Sequence, residues 1–419
     1  MIRTLFRRAF YSPTLRSAAA LAAGGVGFGL ANLLLARVLP TDEFGVVSLV
    51  LSFIQVGAAI GAPGLPVLIN RYHLGPSSRL FRVSLTASVL ACLATFGVLA
   101  IVYRLHTSLA VLAGAAIGLA SMGRVSAAFF QARERFGISL ALIQIHNWVL
   151  LLSIPLVLLL DRPQASTVMW IVMLGYCSTA FVGWTRWTKG HQVPKLPTRR
   201  WLSEGLSAAG FTIATNVMLQ LDRLLIGGTL SIQDLATYSV VAAVAGSAFR
   251  MLQMGAGYSL LPRLRRCKDR AAALRMLGGE LALLAGIGLI AAIGIMIVMP
   301  WLLQNFLAGR YAVTDEMVIA VIVIGFVRIC EASAAAAVNA LGSSKEMAQL
   351  NASGWLMVIA ASGCAVWGSR YGLIGMIYGL GTGWTLGAIT AAVLAAKALS
   401  RIAHAPRDRS SETVSASIE

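Results

Sequence analysis

The chain is dominated by apolar runs of about 20 residues that are separated by short loops. A run of this length, folded as an α-helix, crosses the roughly 30 Å hydrocarbon core of a bilayer. About twelve runs lie along the 419 residues, at 16–38, 45–69, 83–103, 108–130, 139–160, 166–187, 206–230, 236–261, 277–302, 317–341, 348–368 and 372–396. Only 12% of the residues are charged, whereas soluble domains carry about 25%. The sequence therefore predicts an all-α polytopic membrane protein.

Basic residues in the loops predict how the bundle is oriented. When the loops are assigned alternately to two sides, one side collects 25 of the 34 Lys and Arg residues. The other side holds only Arg104, Arg162, Arg310 and Arg370. Because short cytoplasmic loops are enriched in Lys and Arg, both termini are predicted to be cytoplasmic. The net charge of +18 is then a topology signal, and nucleic acid is not an expected partner.

The predicted spans divide into two halves of six helices. The segment "LLLARVLPTDEFGVVSLVL" (33–51) in the first half is echoed by "LLIGGTLSIQDLATYSVVAAV" (224–244) in the second. Parallel repeats of this kind place a substrate cavity between two six-helix lobes, near the membrane midplane. The predicted parts are a basic N-terminal segment, the first lobe, a cytoplasmic linker, the second lobe and a disordered cytoplasmic tail, at 1–15, 16–188, 189–205, 206–396 and 397–419.

Motifs of enzymes and of nucleotide-driven pumps are missing from the sequence. There is no GxxxxGK[ST], no HExxH and no GxSxG. The carboxylates in the loops are too few and too scattered to form the metal site of a sugar transferase. The five cysteines are odd in number and include no CxxC, which disfavours a disulfide framework or a zinc site. The chain is therefore expected to be no enzyme, and no metal or cofactor is predicted.

Apart from Glu280, which is near a cytoplasmic helix end, and the basic residues assigned to the loops, seven charged residues lie inside the predicted spans. A charge near the bilayer centre costs roughly 2.5–3.5 kcal/mol, so such residues normally face a cavity or a partner. The bases are Arg37, Arg124, Arg223, Arg250 and Arg328, and the acids are Asp222 and Glu331. The excess of base predicts a cavity that attracts an anion. Because Arg binds phosphate through two parallel hydrogen bonds, a diphosphate is a good physical match.

The five arginines differ in depth. Arg250 and Arg328 lie near the centres of their spans, and Arg250 has no acid near it in sequence, which makes it the strongest single ligand candidate. Arg223 lies slightly beyond the centre of its span. Arg37 and Arg124 lie close to a helix end, so their side chains either line the route of the anion or extend to the membrane interface.

The two acids have several possible roles. Asp222 and Arg223 are sequence neighbours, about 100° apart on a helix, so we expect them to address different surfaces. Arg328 and Glu331 are three residues apart and share one face, either as an ion pair or as part of a site. The acids either bind a coupling cation or hold the arginines in place. For Asp222, helix packing with Asn216 or with the hydroxyl groups of a neighbouring helix is a further alternative.

Uncharged polar side chains also recur within the spans. They either bind sugar hydroxyls in the cavity or join helices through hydrogen bonds worth about 0.6 kcal/mol each. The candidates for the cavity are Asn32, Gln55, Asn216, Gln220 and Gln253. "GAPGLP" (61–66) breaks the second span with two prolines, either as a static kink or as a hinge.

Three segments resemble the bacterial oligosaccharide flippases. "LLLARVLPTDEFGVVSLVLSFIQVGAAIGAPGLPVLINRY" (33–72) resembles their first two helices, although Pro40 stands where the family usually has Gly. "NVMLQLDRLLIGGTLSIQDLATYSVV" (216–241) is similar to the seventh and eighth helices, with Asp222 in a D-x-x-x-I-G pattern. "NALGSSKEMAQLNASG" (339–354) resembles the loop between helices 10 and 11. The similarity extends over about residues 16–396.

This resemblance is to the Wzx-type branch of the superfamily that includes the multidrug exporters and the lipid II flippases. It implies two lobes around a central cavity that opens alternately to the two membrane faces. The implied cargo is an undecaprenyl-diphosphate-linked oligosaccharide, flipped from the inner to the outer leaflet of the bacterial inner membrane for O-antigen, capsule or exopolysaccharide assembly. Coupling to H⁺ or Na⁺ is implied, as are membrane lipids, a polysaccharide polymerase and a chain-length regulator as partners.

The residues then have expected roles. Arg250, Arg223 and Arg328 attract the diphosphate, while Asp222 and Glu331 serve coupling or positioning. A cation-coupled multidrug exporter is the main alternative, but its cavity should carry surplus acid. A membrane scaffold for a polysaccharide assembly complex is a third hypothesis, disfavoured by the deep charges.

Overall fold

The computed structural model describes residues 13–75, 77–133, 135–160, 163–185, 198–267 and 269–404, and every regular element within them is helical. The helices are α1 Pro13–Val38, α2 Thr41–Ile60, α3 Leu65–Tyr72, α4 Ser78–Ile101, α5 Thr107–Ala132, α6 Phe136–Leu158, α7 Ala165–Thr185, α8 Thr198–Thr229, α9 Ile232–Val241, α10 Ser247–Leu264, α11 Arg270–Trp301, α12 Asp315–Leu341, α13 Ser344–Gly368 and α14 Gly372–His404. A π-helical turn, Ala242–Gly246, joins α9 to α10, and another, Leu302–Phe306, follows α11.

The helices account for about twelve membrane crossings. Nine stretches of the described residues are long and apolar enough to span a bilayer, and one of them, Ser344–Arg401, contains both α13 and α14. Helix α1 has a shorter described apolar part, Ala23–Val38, and α8 carries the intramembrane Asp222 and Arg223. Counting α13 and α14 separately and adding α1 and α8 gives the twelve that the sequence predicts, so the all-α polytopic fold is confirmed.

The helices pack into two lobes. In the first lobe, α5 packs against α4 and α7, and α1 packs against α6. In the second lobe, α14 packs against α12 and α13, and α10 packs against α12. Helix α2 contacts α8 and α9 across the interface between the lobes. This arrangement leaves the inner faces of both lobes turned toward each other.

Two helices extend beyond their predicted spans. Helix α8 begins at Thr198, inside the predicted linker 189–205, because Arg, Leu and Glu are good helix formers even outside the apolar core. Helix α14 continues through the start of the predicted tail to His404, where Arg401 forms an ion pair with Glu346 of α13. Most of the predicted N-terminal segment, linker and tail lies outside the described residues, at 1–12, 186–197 and 405–419.

The break predicted at "GAPGLP" is present between α2 and α3. Gly64, the residue before α3, has a φ of 65°, a left-handed conformation that favours glycine. The short helix α3 then packs against α5 and α8. The second predicted span, 45–69, is therefore two helices rather than one.

Hydrogen bonds join the lobes at the end of the bundle where α1 ends, which is the predicted external end. Arg310, between α11 and α12, donates from Nη1 to the carbonyl oxygens of Arg37 at 2.9 Å and Leu39 at 3.5 Å. Tyr311 donates from its hydroxyl to the carbonyl oxygen of Ala36 at 2.7 Å. The last carbonyls of a helix lack partners within it, and they attract cations. We call these five residues the outer clasp.

Glycine determines the close approach of α13 and α14. A Cβ atom added at Gly379 would lie 2.4 Å from the carbonyl oxygen of Cys364 and 2.7 Å from Cα of Ala365. Both atoms belong to the backbone, so neither can move aside without shifting the helix. Small residues are what allow membrane helices to approach each other this closely.

A Gly379→Val substitution should therefore destabilise the second lobe. Overpacking of a close interface costs about 1–3 kcal/mol, so the midpoint of thermal unfolding in detergent should fall. Gly363→Val is the matched control, because a Cβ at Gly363 on α13 meets nothing within 4 Å. Equal midpoints for the two variants would contradict this account of the helix pair.

Candidate functional site

A cavity of about 630 Å³ lies between the two lobes. Helices α1, α2 and α6 of the first lobe line one wall, and α8, α9, α10, α12, α13 and α14 of the second lobe line the rest. Its residues on α6 and α10 include Gln144 and Gly257, in the halves of these helices nearer the predicted cytoplasmic end. The cavity therefore lies away from the outer clasp.

Most of the charged and polar residues singled out in the sequence line this cavity. Those in its wall are Gln55, Gln220, Asp222, Arg223, Arg250, Gln253, Arg328 and Glu331. Arg37, Arg124, Asn32 and Asn216 are not among the described residues that line it. Three arginines thus face two acids, so the cavity wall carries a positive excess.

Asp222 and Arg223 both face the cavity, and the expectation that they address different surfaces is wrong. Helix α8 presents an arc wider than 100° to the space between the lobes, so neighbouring residues reach the same cavity. Arg223 reaches back along its helix and donates from Nη1 to Oε1 of Gln220 at 3.3 Å. Oδ1 of Asp222 accepts the backbone N–H of Arg223 at 2.8 Å. The two charged groups therefore do not form an ion pair with each other.

Asp222 contacts two side chains from other helices instead. The hydroxyl of Tyr238 on α9 donates to Oδ2 of Asp222 at 2.5 Å. Nη2 of Arg328 on α12 lies 3.8 Å from the same oxygen, within ion-pair distance but beyond a hydrogen bond. The structure thus joins Arg328 to Asp222 across helices. Among the described residues, no ion pair links Arg328 to Glu331, although they share a helix face.

Arg328 is held by an aromatic ring. The carbon atom of its guanidinium lies 4.5 Å from the ring centroid of Trp384 on α14, which is 4% exposed. Stacking occupies the face of the planar guanidinium, whereas its N–H groups all point outward from the edge. The edge that remains is available to an anion.

Several polar atoms in the cavity wall have no hydrogen-bond partner among the described residues. They include the buried donors Nε of Arg223 and Nε of Arg328, and the buried acceptor Oε1 of Gln253. Arg250 likewise makes no hydrogen bond or ion pair within the described part of the chain, and its charge interacts with those of Arg223 and Arg328. Unpaired buried donors are costly, so this cluster favours binding of an anion.

The first lobe contributes an uncharged polar wall. Arg124 lies behind this wall and donates from Nη2 to Oε1 of Gln55 at 2.9 Å and to the carbonyl oxygen of Gln55 at 3.3 Å. Nε2 of Gln55 lies 3.4 Å from Nε2 of His146, whose ring stacks on Tyr176. Arg124 therefore positions Gln55 rather than lining the cavity itself.

The remaining candidates bond within their own helices or lie near a helix end. Asn32 donates to the carbonyl oxygen of Phe28 and Asn216 to that of Thr212, both at 2.8 Å. Arg37 is exposed in the last turn of α1, with its guanidinium carbon 4.8 Å from the ring centroid of Phe306. This position agrees with the alternative that the Arg37 side chain extends to the interface.

Several residues of the site were not singled out in the sequence. His146 and its neighbours in "QIHN" (144–147) are polar within an apolar run, which is a signal that could have identified them. Tyr238 and Trp384 look like ordinary apolar residues of a span. Their contacts with Asp222 and Arg328 arise only from the packing of distant helices.

Solved structures with this fold match over nearly the whole chain. The lipid II flippase MurJ, in an inward closed conformation, has a TM-score of 0.69 at 12% identity, covering 93% of this chain and 90% of that one. A multidrug resistance MATE family transporter of the MOP superfamily, in an inward-facing conformation, has a TM-score of 0.66 at 12% identity, covering 93% and 96%. At such identity the likeness concerns the fold.

Sequence comparison supplies the family. No curated protein matches the chain. A sequence profile described as "Polysaccharide biosynthesis protein" matches residues 34–316, more than half of the chain. That range includes nearly all of 33–72 and the whole of 216–241, two of the three segments that resemble oligosaccharide flippases, while 339–354 lies outside it. The chain therefore belongs to the polysaccharide biosynthesis protein family and is a multi-pass membrane protein with the fold of the exporters and flippases of the MOP superfamily.

Proposed function

We propose that this protein flips undecaprenyl-diphosphate-linked oligosaccharide units from the inner to the outer leaflet of the bacterial inner membrane. The units would serve O-antigen, capsule or exopolysaccharide assembly. The observation that carries the proposal is the convergence of Arg223, Arg250 and Arg328 on one cavity between the lobes. A diphosphate supplies the anion that these side chains lack, and Arg is suited to bind it through paired hydrogen bonds.

The rest of the cavity suits the remainder of such a cargo. Gln55, Gln144 and Asn147 of the first lobe lie across the cavity from the arginines and offer amide groups to sugar hydroxyls. The polyprenyl chain is apolar and would stay in the bilayer while the polar headgroup enters between the lobes. Alternating access then moves the headgroup without exposing it to lipid.

Energy for directional movement would come from an ion gradient. Asp222 and Glu331 are the carboxylates of the cavity wall, and either would bind H⁺ or Na⁺ as the coupling ion. A polysaccharide polymerase and a chain-length regulator would use the flipped units at the outer face. These partners follow from the proposed cargo.

A multidrug exporter is the second candidate, and one feature of the cavity favours it. Met218, Met251, Met254 and Met357 line the cavity together with Trp384. Flexible thioether side chains adapt to varied apolar ligands. The excess of arginine opposes this candidate for organic cations, because like charges repel within a site of low dielectric.

A deletion strain separates the two candidates. Loss of the gene should abolish surface polysaccharide, with lipid-linked units accumulating inside the cell, and leave drug susceptibility unchanged. Reconstitution of the purified chain in vesicles should move a fluorescent diphosphate-linked oligosaccharide across the bilayer. Normal polymer with hypersensitivity to organic cations would overturn the proposal and establish the exporter. Adjacent genes for glycosyltransferases and a polymerase would support the flippase.

A further inference from the structure

Asp222 lies beside one arginine of the cavity wall. Its carboxylate lies beside the edge of the Arg328 guanidinium, 3.8 Å from Nη2, and belongs to the same cavity wall as Arg223 and Arg250. The residues Asp222 and Tyr238 are 8% and 5% exposed, so little water screens the pair. Among the residues that the structure describes, Asp222 is the carboxylate within ion-pair distance of an arginine of this cluster.

The carboxylate is oriented by groups that do not belong to the arginine side chains. The Tyr238 hydroxyl donates to Oδ2 at 2.5 Å, and the backbone N–H of Arg223 donates to Oδ1 at 2.8 Å. These two donors would keep Asp222 in place whether or not Arg328 remains beside it. The contact with Arg328 is by comparison loose, since 3.8 Å is too long for a hydrogen bond.

Arg328 is similarly held without its acid. Stacking on Trp384 occupies one face of the guanidinium, and Nε has no partner among the described residues. The Trp384 ring therefore keeps Arg328 in place when one anion beside it is replaced by another. Each member of this pair is held by other groups, and their mutual contact is weak. An external anion could therefore replace Asp222 beside Arg328.

We propose that Asp222 is an internal competitor of the cargo phosphate for Arg328. The carboxylate partly neutralises the arginine cluster in the absence of cargo, and a diphosphate displaces it by bridging the cluster with several negative charges. A singly charged anion contacts fewer arginines, so it competes less well with the fixed carboxylate for Arg328. Asp222 is thus a specificity-determining residue that discriminates diphosphate from small anions. This inference rests on the proposed function, because it assumes that the arginines bind phosphate groups.

The test measures binding of inorganic pyrophosphate and of inorganic phosphate to the purified full chain in detergent. Binding is measured by tryptophan fluorescence, with Trp384 as the reporter, because an anion that moves Arg328 changes the environment of the Trp384 indole. The Trp384→Phe variant identifies how much of the fluorescence comes from this residue. Asp222→Asn keeps the size of the side chain and removes its charge. We expect both anions to bind roughly tenfold more tightly to this variant, as is typical for removal of a coupled competitor, and phosphate to gain at least as much as pyrophosphate.

Two further variants keep the test decisive. Glu331→Gln removes the other acid of the cavity wall, which has no ion pair with Arg328 among the described residues, so the gain should be less than that of Asp222→Asn. Asp222→Glu retains the charge and should bind pyrophosphate close to the wild-type affinity. It also shows whether the position tolerates substitution if Asp222→Asn fails to fold.

The outcomes separate the inference from the proposed function. If wild-type protein binds pyrophosphate and Arg250→Ala does not, but Asp222→Asn binds no more tightly than wild type, the inference is wrong and the anion site remains. Equal gains for Asp222→Asn and Glu331→Gln would also overturn it, because general charge would then explain the effect. If neither wild-type protein nor any variant binds pyrophosphate, the proposed function itself loses its anion site.

Discussion

A chain carrying Arg250→Ala is expected to lose most polysaccharide export when it replaces the wild-type gene. Arg250 lines the cavity and makes no hydrogen bond or ion pair among the described residues, so its guanidinium is free to bind cargo. A hydrogen bond to a charged group contributes about 1.5–3 kcal/mol, which corresponds to a loss of tenfold or more in binding. Arg223→Ala should have a similar effect, because Nε of Arg223 is also buried without a partner. Surface polymer in the deletion strain is the measurement.

The geometry of the guanidinium gives this prediction a sharper form. Arg250→Lys keeps the charge but loses the fork of donors, so export should recover only in part. The matched control is Arg370→Ala, which removes an exposed arginine after α13, outside the cavity. It should export at the wild-type level. Wild-type export by both Arg250→Ala and Arg223→Ala would show that the cluster does not bind the cargo.

The second large effect should come from the outer clasp. Replacing Arg310 by Ala and Tyr311 by Phe removes the side-chain donors that join the second lobe to the carbonyls ending α1. Arg310 is exposed, so water screens its charged hydrogen bonds, whereas the buried bond of Tyr311 contributes about 0.5–1.5 kcal/mol. Loss of both donors should enlarge an outward-open population severalfold. Export should change as well, since alternating access needs both ends to close.

Spin labels can measure this shift directly. Asp42 on α2 and Gln233 on α9 are exposed at the outer end and belong to different lobes. Cysteines at these positions, in a chain whose five native cysteines are replaced, allow their separation to be measured by pulsed electron resonance. The double variant should populate longer distances, and Arg370→Ala should not. An unchanged distribution would mean that other contacts close this end.

The membrane fold could be predicted because each membrane-spanning helix is determined by the apolar residues of its own segment. Each span is a single run that must satisfy its own backbone within lipid, so its position follows from the residues it contains. The break between α2 and α3 follows in the same way from two prolines and Gly64. The errors occurred where polar residues continue a helix beyond the membrane, as at the start of α8 and the end of α14.

The site could be predicted only in part, because its contacts join distant segments. The cost of burying charge identified Arg223, Arg250 and Arg328 from sequence alone. It could not show that Asp222 lies beside Arg328, more than one hundred positions along the chain, nor that both neighbours on α8 reach the cavity. Arg124 also lies within a predicted span, though nearer its end than Arg250, and the packing of the first lobe places it behind Gln55.

The π-helical turn between α9 and α10 has a consequence for the arginine cluster. Tyr238 and Arg250 are twelve positions apart, and in an uninterrupted α-helix they would point about 120° away from each other. A π turn accommodates one extra residue, which reduces that angle to about 20° and brings both side chains to the same cavity. The orientation of Arg250 therefore depends on the π turn itself: if the same residues formed an ordinary α-helix, Arg250 would turn by about 100° toward neighbouring helices, while the hydrophobic character of the span stayed the same.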